Sequence, residues 1–289
     1  MKRRIQRGYG MRTYPDRGDA CIMNILVTLN SDYIRPLKVM LKSLFMTNPD
    51  ERFSIYLMHS SIPDGELDDL NGFVAGHGSQ LHVIFTDGAY FQHAPVLLHY
   101  TKEMYYRLMA FRFLPQELER ILYLDPDTLI INPVKTLYET DIRDYLYAAA
   151  CHNRISIREI NKIRFNSFNL KAYYNSGVLL MNLERQRRMI DESAIFQFVE
   201  DNQSKLIMPD QDILNALYSR QIKELDEKLY NYDARHYRYY FIKTSGQCDM
   251  DFVLNHTVIL HFCGKKKPWK PGYTGEFHAL YKYFESRIS

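Results

Sequence analysis

From Met23 onward the chain is a succession of short apolar runs separated by segments whose apolar residues fall at helical spacing. "NILVTL" (Asn24–Leu29), "FSIYLMH" (Phe53–His59) and "LHVIFT" (Leu81–Thr86) have the length and density of strands buried on both faces. Between the first two, Leu37, Met40, Leu41, Leu44 and Phe45 recur at helical spacing. Pro36 suits a first turn and Asn48-Pro49 a stop. Between the second and third, Leu67, Leu70, Phe73 and Val74 share one side of a second helix. This alternation constrains the fold more than any other feature. It predicts an α/β protein with a mainly parallel central sheet flanked by helices. A further helix is expected through "KEMYYRLMAFRFLP", with later strands at Leu146–Cys151, Tyr173–Leu183 and Thr257–Phe262. An amphipathic helix should run on to Glu200, and a short one over Pro209–Tyr218. No repeat, low-complexity tract or Gly/Ser linker divides the chain, so 23–289 reads as a single domain.

Charge and cysteine usage narrow the partners. The net charge of +3 is carried by residues 1–22, where Lys2, Arg3, Arg4, Arg7, Arg12 and Arg17 against Asp16 and Asp19 give +4; the remainder is −1. A body so close to neutral argues for no nucleic-acid partner. The basic segment 1–22 has no apolar core of a secretory signal and is expected to be a disordered leader, or a stretch ahead of an internal start at Met23. Cys21, Cys151, Cys248 and Cys263 show no CxxC spacing and read as reduced thiols of a cytoplasmic protein. No apolar stretch approaches the ~18–20 residues a bilayer span needs. At most, weak peripheral association at the inner face of the membrane is expected. Nothing in the pattern sets an oligomeric state. The tyrosines of "LYNYDARHYRYYF" (Leu229–Phe241) suit either stacking on sugars or packing.

Four stretches carry candidate chemistry, and each has a plainer reading beside it. In "RILYLDPDTLIINP" a strand ends at Asp125, where ligands bind in sheets of this kind. Asp125 and Asp127 would point oppositely from extended backbone, and Pro126 supports a bend that turns both towards one hard cation; an ordinary turn is the alternative. In "HFCGKKKPW", His261 suits a metal ligand and the lysines suit phosphate, or the stretch is a core histidine before a solvated loop. Cys263 lacks a partner pair at zinc-site spacing. In "YYNSGVLLMNL", Gly177 marks a bulge or a close backbone approach to ligand, or else a simple turn. In "PDQDILNAL", Asp210, Gln211 and Asp212 either cap a helix or line a site.

Taken in order, "NILVTLNSDY", "YYRLMAFRFLP", "RILYLDPDTLIINPV", "YYNSGVLLMNLE", "PDQDILNAL" and "HFCGKKKPW" resemble the glycosyltransferases of family 8, retaining enzymes of the GT-A fold. The likeness runs from Met23 to about Pro271, and among well-known members the chain is similar to the bacterial lipooligosaccharide galactosyltransferases and the general-stress glycosyltransferases. It implies a transferase that moves glucose or galactose from UDP-glucose or UDP-galactose to a hydroxyl of a glycan, glycolipid or glycoprotein, as in cell-surface polysaccharide synthesis. Mn2+ (or Mg2+) would be held by Asp125, Asp127 and His261. Nucleotide-sugar contacts would come from Thr28, Asn30, Asp32, Tyr33, Arg107, Asp125, Pro126, Asp127, Asn175, Asp210, Gln211, Gly264 and Lys267. Relatives often carry small residues and an aspartate where this chain has Thr28-Leu29-Asn30, so base recognition departs from the pattern. Gln211 and Asp210 would serve the reacting centre, with Gln211 near the anomeric carbon. Residues 152–171 would form a lid that also meets the acceptor. Two other classes compete: a non-catalytic binder of nucleotide-sugar or glycan, and a nucleotidyltransferase. The latter usually has a Gly-rich phosphate loop after its first strand, which "TLNSDYIRP" lacks.

Overall fold

The computed structural model describes residues 11–12, 22–86, 104–151 and 170–288. Eight strands form the large sheet: β1 (Met11–Arg12), β2 (Ile22–Thr28), β3 (Arg52–His59), β4 (Gln80–Phe85), β5 (Arg120–Leu124), β7 (Tyr147–Cys151), β8 (Tyr174–Asn182) and β9 (Ile222–Leu225), in the order β1-β4-β3-β2-β5-β8-β7-β9. A second sheet contains β6 (Thr128–Ile130), β10 (Tyr232–Asp233) and β11 (Ile259–His261), in the order β10-β11-β6.

The chain alternates as expected in its first half. Strands β4, β3, β2 and β5 pair in parallel, joined by helices α1 (Ile34–Thr47) and α2 (Asp64–Gly76). Strand β8 is antiparallel to both β5 and β7, and β7 pairs in parallel with β9. Strands β7 and β9 therefore point the same way as β5. The sheet is mixed, mainly parallel, with β8 and the edge strand β1 reversed. Because β8 runs backwards, its first residues lie at the edge where the parallel strands end.

Both faces of the sheet are covered, which is why its strands read as continuous apolar runs. Alternate residues feed opposite layers. Leu26, Tyr56 and Tyr123 pack with Tyr106, Leu183 and Ile213 on one side. Ile25, Val27, Ile55 and Leu122 pack with Leu37, Leu41 and Leu70 on the other. A third cluster lies with the small sheet, where Leu129, Tyr232, Leu260 and Phe262 meet Tyr240, Val253 and Tyr281. Tyr232 and Tyr240, from the stretch that suited either sugar stacking or packing, are therefore packing residues.

Some local readings change. The amphipathic helix expected to run on to Glu200 is two helices, Leu183–Met189 and Glu192–Asn202. Asp191 breaks the run because its carboxylate accepts from Ser193 N at 2.9 Å and caps the second helix. The helix expected through "KEMYYRLMAFRFLP" is described only as α3 (Met104–Met109) and then tightens into a 3-10 turn at Ala110–Arg112. The strand after Asp127 does not rejoin the large sheet; as β6 it crosses into the small one. Within the segment expected as a leader, Met11–Arg12 pairs antiparallel with β4. Of the expected lid, residues 152–169 lie outside the described residues. No helix among the described residues is long and apolar enough to cross a membrane.

Candidate functional site

The turn between β5 and β6 carries the two aspartates from one sheet to the other. Asp125 N donates to Gly177 O at 2.8 Å, which ties the turn to the start of β8. Thr128 closes it, with its backbone N and its Oγ1 donating to Asp125 O at 3.2 and 2.8 Å. With Pro126 inside this bend, both carboxylates face one point. On the far side, β11 pairs antiparallel with β6 so that His261 lies opposite Thr128. Phe262 N donates to Asp127 O at 2.9 Å. Sheet register alone thus delivers the imidazole to the aspartates.

His261 Nε2 stands 3.3 Å from Asp127 Oδ1 and 3.9 Å from Asp125 Oδ2. One ligand atom from each of Asp125, Asp127 and His261 falls within 4.8 Å of the others. Two carboxylates and one imidazole are a donor set suited to Mn2+ or Mg2+. The backbone leaves room for it: a Cβ on Gly177 would lie 2.3 Å from His261 Cε1 and 2.6 Å from Asp125 Oδ2. The residues present fit a divalent cation. Gly177 lies within β8 and not in a turn, and the nearest neighbours a Cβ there would meet are side chains of the cluster.

Charge within the cluster is balanced by neighbouring cations. Burial would raise the Asp127 pKa, but His261 and Lys267 outweigh it and hold the carboxyl well below its ordinary range. Burial likewise disfavours a charged His261, while the Cys263 sulfur and Asp127 favour it and prevail, so its pKa is well above the usual value. Burial pushes the Cys263 thiol up, leaving Asp127 as the charge that matters. Lys267 Nζ donates to Asp127 Oδ2, and to Phe262 O at 2.9 Å. Arg107 is no surface arginine; its guanidinium bridges Asp125 Oδ1 at 3.0 Å and Asp210 Oδ2 at 3.2 Å, over the Tyr123 ring.

A cavity of about 260 Å³ opens beside the cluster, lined by Thr28, Leu29, Asn30, Tyr33, Arg107, Asp125, Pro126 and Asp127. The end of β2 and the aspartate turn therefore share one wall. Thr28 Oγ1 lies 3.3 Å from Tyr123 OH, which donates to Asp125 Oδ1 at 2.6 Å. Tyr33 meets Trp269 edge-on at 6.0 Å. Asn30 Oδ1 accepts from Asp32 N at 3.1 Å, and Asp32 itself is exposed outside the lining. Gly264, at φ 87°, abuts Arg235 rather than the cavity. Asn175, Asp210 and Gln211 sit behind Arg107: Asn175 Nδ2 and Ser176 N donate to Gln211 Oε1 at 3.1 and 3.2 Å, and Ser176 Oγ donates to Asp210 Oδ2 at 2.9 Å. Asp212 does not face this site. Tyr173 OH and the backbone N–H of Ile207 and Met208 donate to its carboxylate. Asn231, Ser176 and Tyr123 were missed as site residues. Tyr123 and Ser176 flank motif residues in the chain, whereas Asn231 lies within the tyrosine-rich stretch Leu229–Phe241, which stands out for its aromatic rings and not for this amide.

A carboxylate pair and an imidazole that could hold a cation, beside a groove at the carboxyl edge of a mixed α/β sheet, fit the arrangement of GT-A transferases. The solved galactosyltransferase LgtC, in complex with donor and acceptor sugar analogues, has this fold: TM-score 0.78 at 22% identity, covering 92% of this chain and 96% of that one. The family model described as glycosyl transferase family 8 matches residues 24–271, and the chain belongs to that family. The protein is a glycosyltransferase. Similar sequences include general stress protein A of Bacillus subtilis (strain 168), 26% identical over 92% of this chain and 93% of its own length. Another is a lipopolysaccharide 1,2-glucosyltransferase of Escherichia coli, 22% identical over 85% of this chain and 73% of its own length.

Proposed function

We propose that the protein is a retaining, Mn2+-dependent hexosyltransferase that moves glucose or galactose from a UDP-sugar to a hydroxyl of a glycan, glycolipid or glycoprotein. The observation that carries this reading is the convergence of Asp125, Asp127 and His261 within 4.8 Å beside the open cavity. A cation held there, Mn2+ or alternatively Mg2+, would neutralise diphosphate oxygens and the charge that gathers on the departing β-phosphate. The chain's own groups do the rest. Thr28, Asn30 and Tyr33 offer the wall for the nucleoside, and Lys267 adds a point charge for the phosphates. Arg107 holds Asp125 and Asp210 in fixed relation, which preorganises the donor side of the groove. Asp32 and Gly264 would join only at the rim.

Gln211 bears on the stereochemistry. Its Oε1 already accepts two hydrogen bonds, from Asn175 and Ser176, and an amide oxygen so engaged is a poor nucleophile. This supports a same-face route. The C1–O bond to UDP breaks, the departing phosphate oxygen takes the acceptor hydroxyl's proton, and the new C1–O bond forms on the face just vacated. Retention results without a covalent enzyme intermediate, unlike the paired-carboxylate route of retaining glycosidases. Asp210 would hold sugar hydroxyls. The proposed place of action is the cytoplasm, with at most peripheral contact with the membrane.

The test combines binding and turnover. Thermal shifts with UDP-glucose, UDP-galactose and UDP-GlcNAc, each with Mn2+, should single out one of the first two as the stabilising donor. Asp125→Ala and His261→Ala should each abolish metal-dependent turnover while keeping the fold. Full activity of the wild type in excess EDTA would overturn the metal assignment. The absence of any shift with every UDP-sugar would favour a non-catalytic member of the family.

A further inference from the structure

Asn231 is fully buried, at 0% exposure, just ahead of β10. It touches no part of the open cavity, yet its side chain joins two halves of the site. His261 Nδ1 lies 2.8 Å from Asn231 Oδ1, and Asn231 Nδ2 donates to Asn175 Oδ1 at 2.8 Å. The direction of these bonds is fixed by groups that have no choice. Gly177 N, a backbone donor, gives its hydrogen to Asn175 Oδ1 at 2.9 Å. That end of Asn175 is thereby the oxygen, so the Asn231 atom facing it must be the NH2. Its other end is then an oxygen, and His261 Nδ1 must be the donor. The second amide agrees: Ser176 N, another backbone donor, gives to Gln211 Oε1, so Asn175 presents its NH2 there.

From this network, and resting on the metal reading proposed above, we infer that Asn231 is a positioning residue. It holds the Nδ1 proton of His261 and so aims the Nε2 lone pair at the point shared with Asp125 and Asp127. Through Asn175 it ties that ligand to Gln211 at the sugar end of the site. A metal-bound histidine whose other nitrogen is held this way keeps its ring orientation and tautomer, and loss of such a partner typically weakens metal binding by about 10–100-fold. The order of the chain gives no hint of this role. β10 and β11 pair in parallel with Asp233 opposite His261, and Asn231, one residue ahead of β10, reaches the imidazole with its side chain.

The experiment uses the full chain and Mn2+ alone, titrated by the electron paramagnetic resonance signal of the free ion. Asn231→Ala is expected to weaken Mn2+ binding about 10–100-fold. Asn231→Asp keeps an acceptor for the Nδ1 proton and should bind Mn2+ at least as tightly as wild type. The same variant cannot donate to Asn175, so its KM for the UDP-sugar should rise. Wild-type affinity in Asn231→Ala overturns the proposal. An Asn231→Asp protein that loses affinity tenfold or more also overturns it, and decides the matter alone if the alanine variant does not fold. Unchanged donor KM in Asn231→Asp overturns the link to Gln211. A different result separates the two readings: if wild type and His261→Ala both leave the Mn2+ signal undiminished, the metal site itself fails.

Discussion

A methyl group on Gly177 would stand 2.3 Å from His261 Cε1 and 2.6 Å from Asp125 Oδ2, on backbone held by Asn175 Oδ1 at its N–H and by Asp125 N at its carbonyl. Neither neighbour can retreat cheaply, because Asp125 is pinned by Arg107 and Tyr123, and His261 by Asn231. Gly177→Ala should therefore spread the ligand set, lowering stability by about 1–3 kcal/mol, the usual cost of overpacking. It should also weaken Mn2+ binding at least tenfold. Urea denaturation and paramagnetic titration check the two effects, and wild-type metal affinity in this variant would show that the cluster does not need the space. Among single residues, those with a local signature were legible: Asp125, Asp127, His261 and Lys267 stand out in their own short blocks. Asn231 and Ser176 were not, because their roles come only from what lies across the site.

Among elements, the reversed strand β8 has the largest consequence. Entering between β5 and β7 from the site end, it sets Asn175, Ser176 and Gly177 beside the aspartate turn, with Leu124 opposite Val178. The direction of a strand leaves no mark on its apolar pattern, so alternation predicted the parallel first half well and was silent about β8. The C-terminal helix His278–Glu285 docks on α1 through Glu285, whose Oε1 is 3.1 Å from Arg35 Nε and Oε2 2.5 Å from Lys282 Nζ. Burial would raise the Glu285 pKa; Lys282 and Arg35 prevail and lower it. A depressed folded-state pKa contributes stability above the unfolded value, and that contribution disappears as pH falls through the folded one. The melting-temperature gap between wild type and Glu285→Gln should thus be full near neutrality and close below about pH 4. A gap that stays constant across this range would show that the pair contributes nothing to docking.

At the scale of the molecule, the proposed cation would sit between the two sheets. Asp125 follows β5 of the large sheet, and His261 ends β11 of the small one. An ion held by both binds only when the sheets are assembled, so it should raise the stability of the whole fold. At a hundredfold excess over its dissociation constant the gain is about 2.7 kcal/mol. Calorimetry should show one transition that moves up with Mn2+, returns with EDTA and no longer responds in Asp127→Ala. A metal-dependent shift confined to part of a split transition would mean that the ion secures one sheet only.

The α/β class, the single chain of strand–helix units, the position of the carboxylate pair at a strand end and the family are all legible in the order of residues. Each of these is written in neighbouring residues, through hydrophobic period, turn chemistry or a compact motif. The tertiary structure decided the rest: the small sheet that carries β6 away from β5, the reversal of β8, and the meeting of groups as distant as Lys267 and Asp127, 140 residues apart. Those contacts arise from strand register and from hydrogen bonds that backbone donors orient. Register is a property of two segments together, and neither one records its partner.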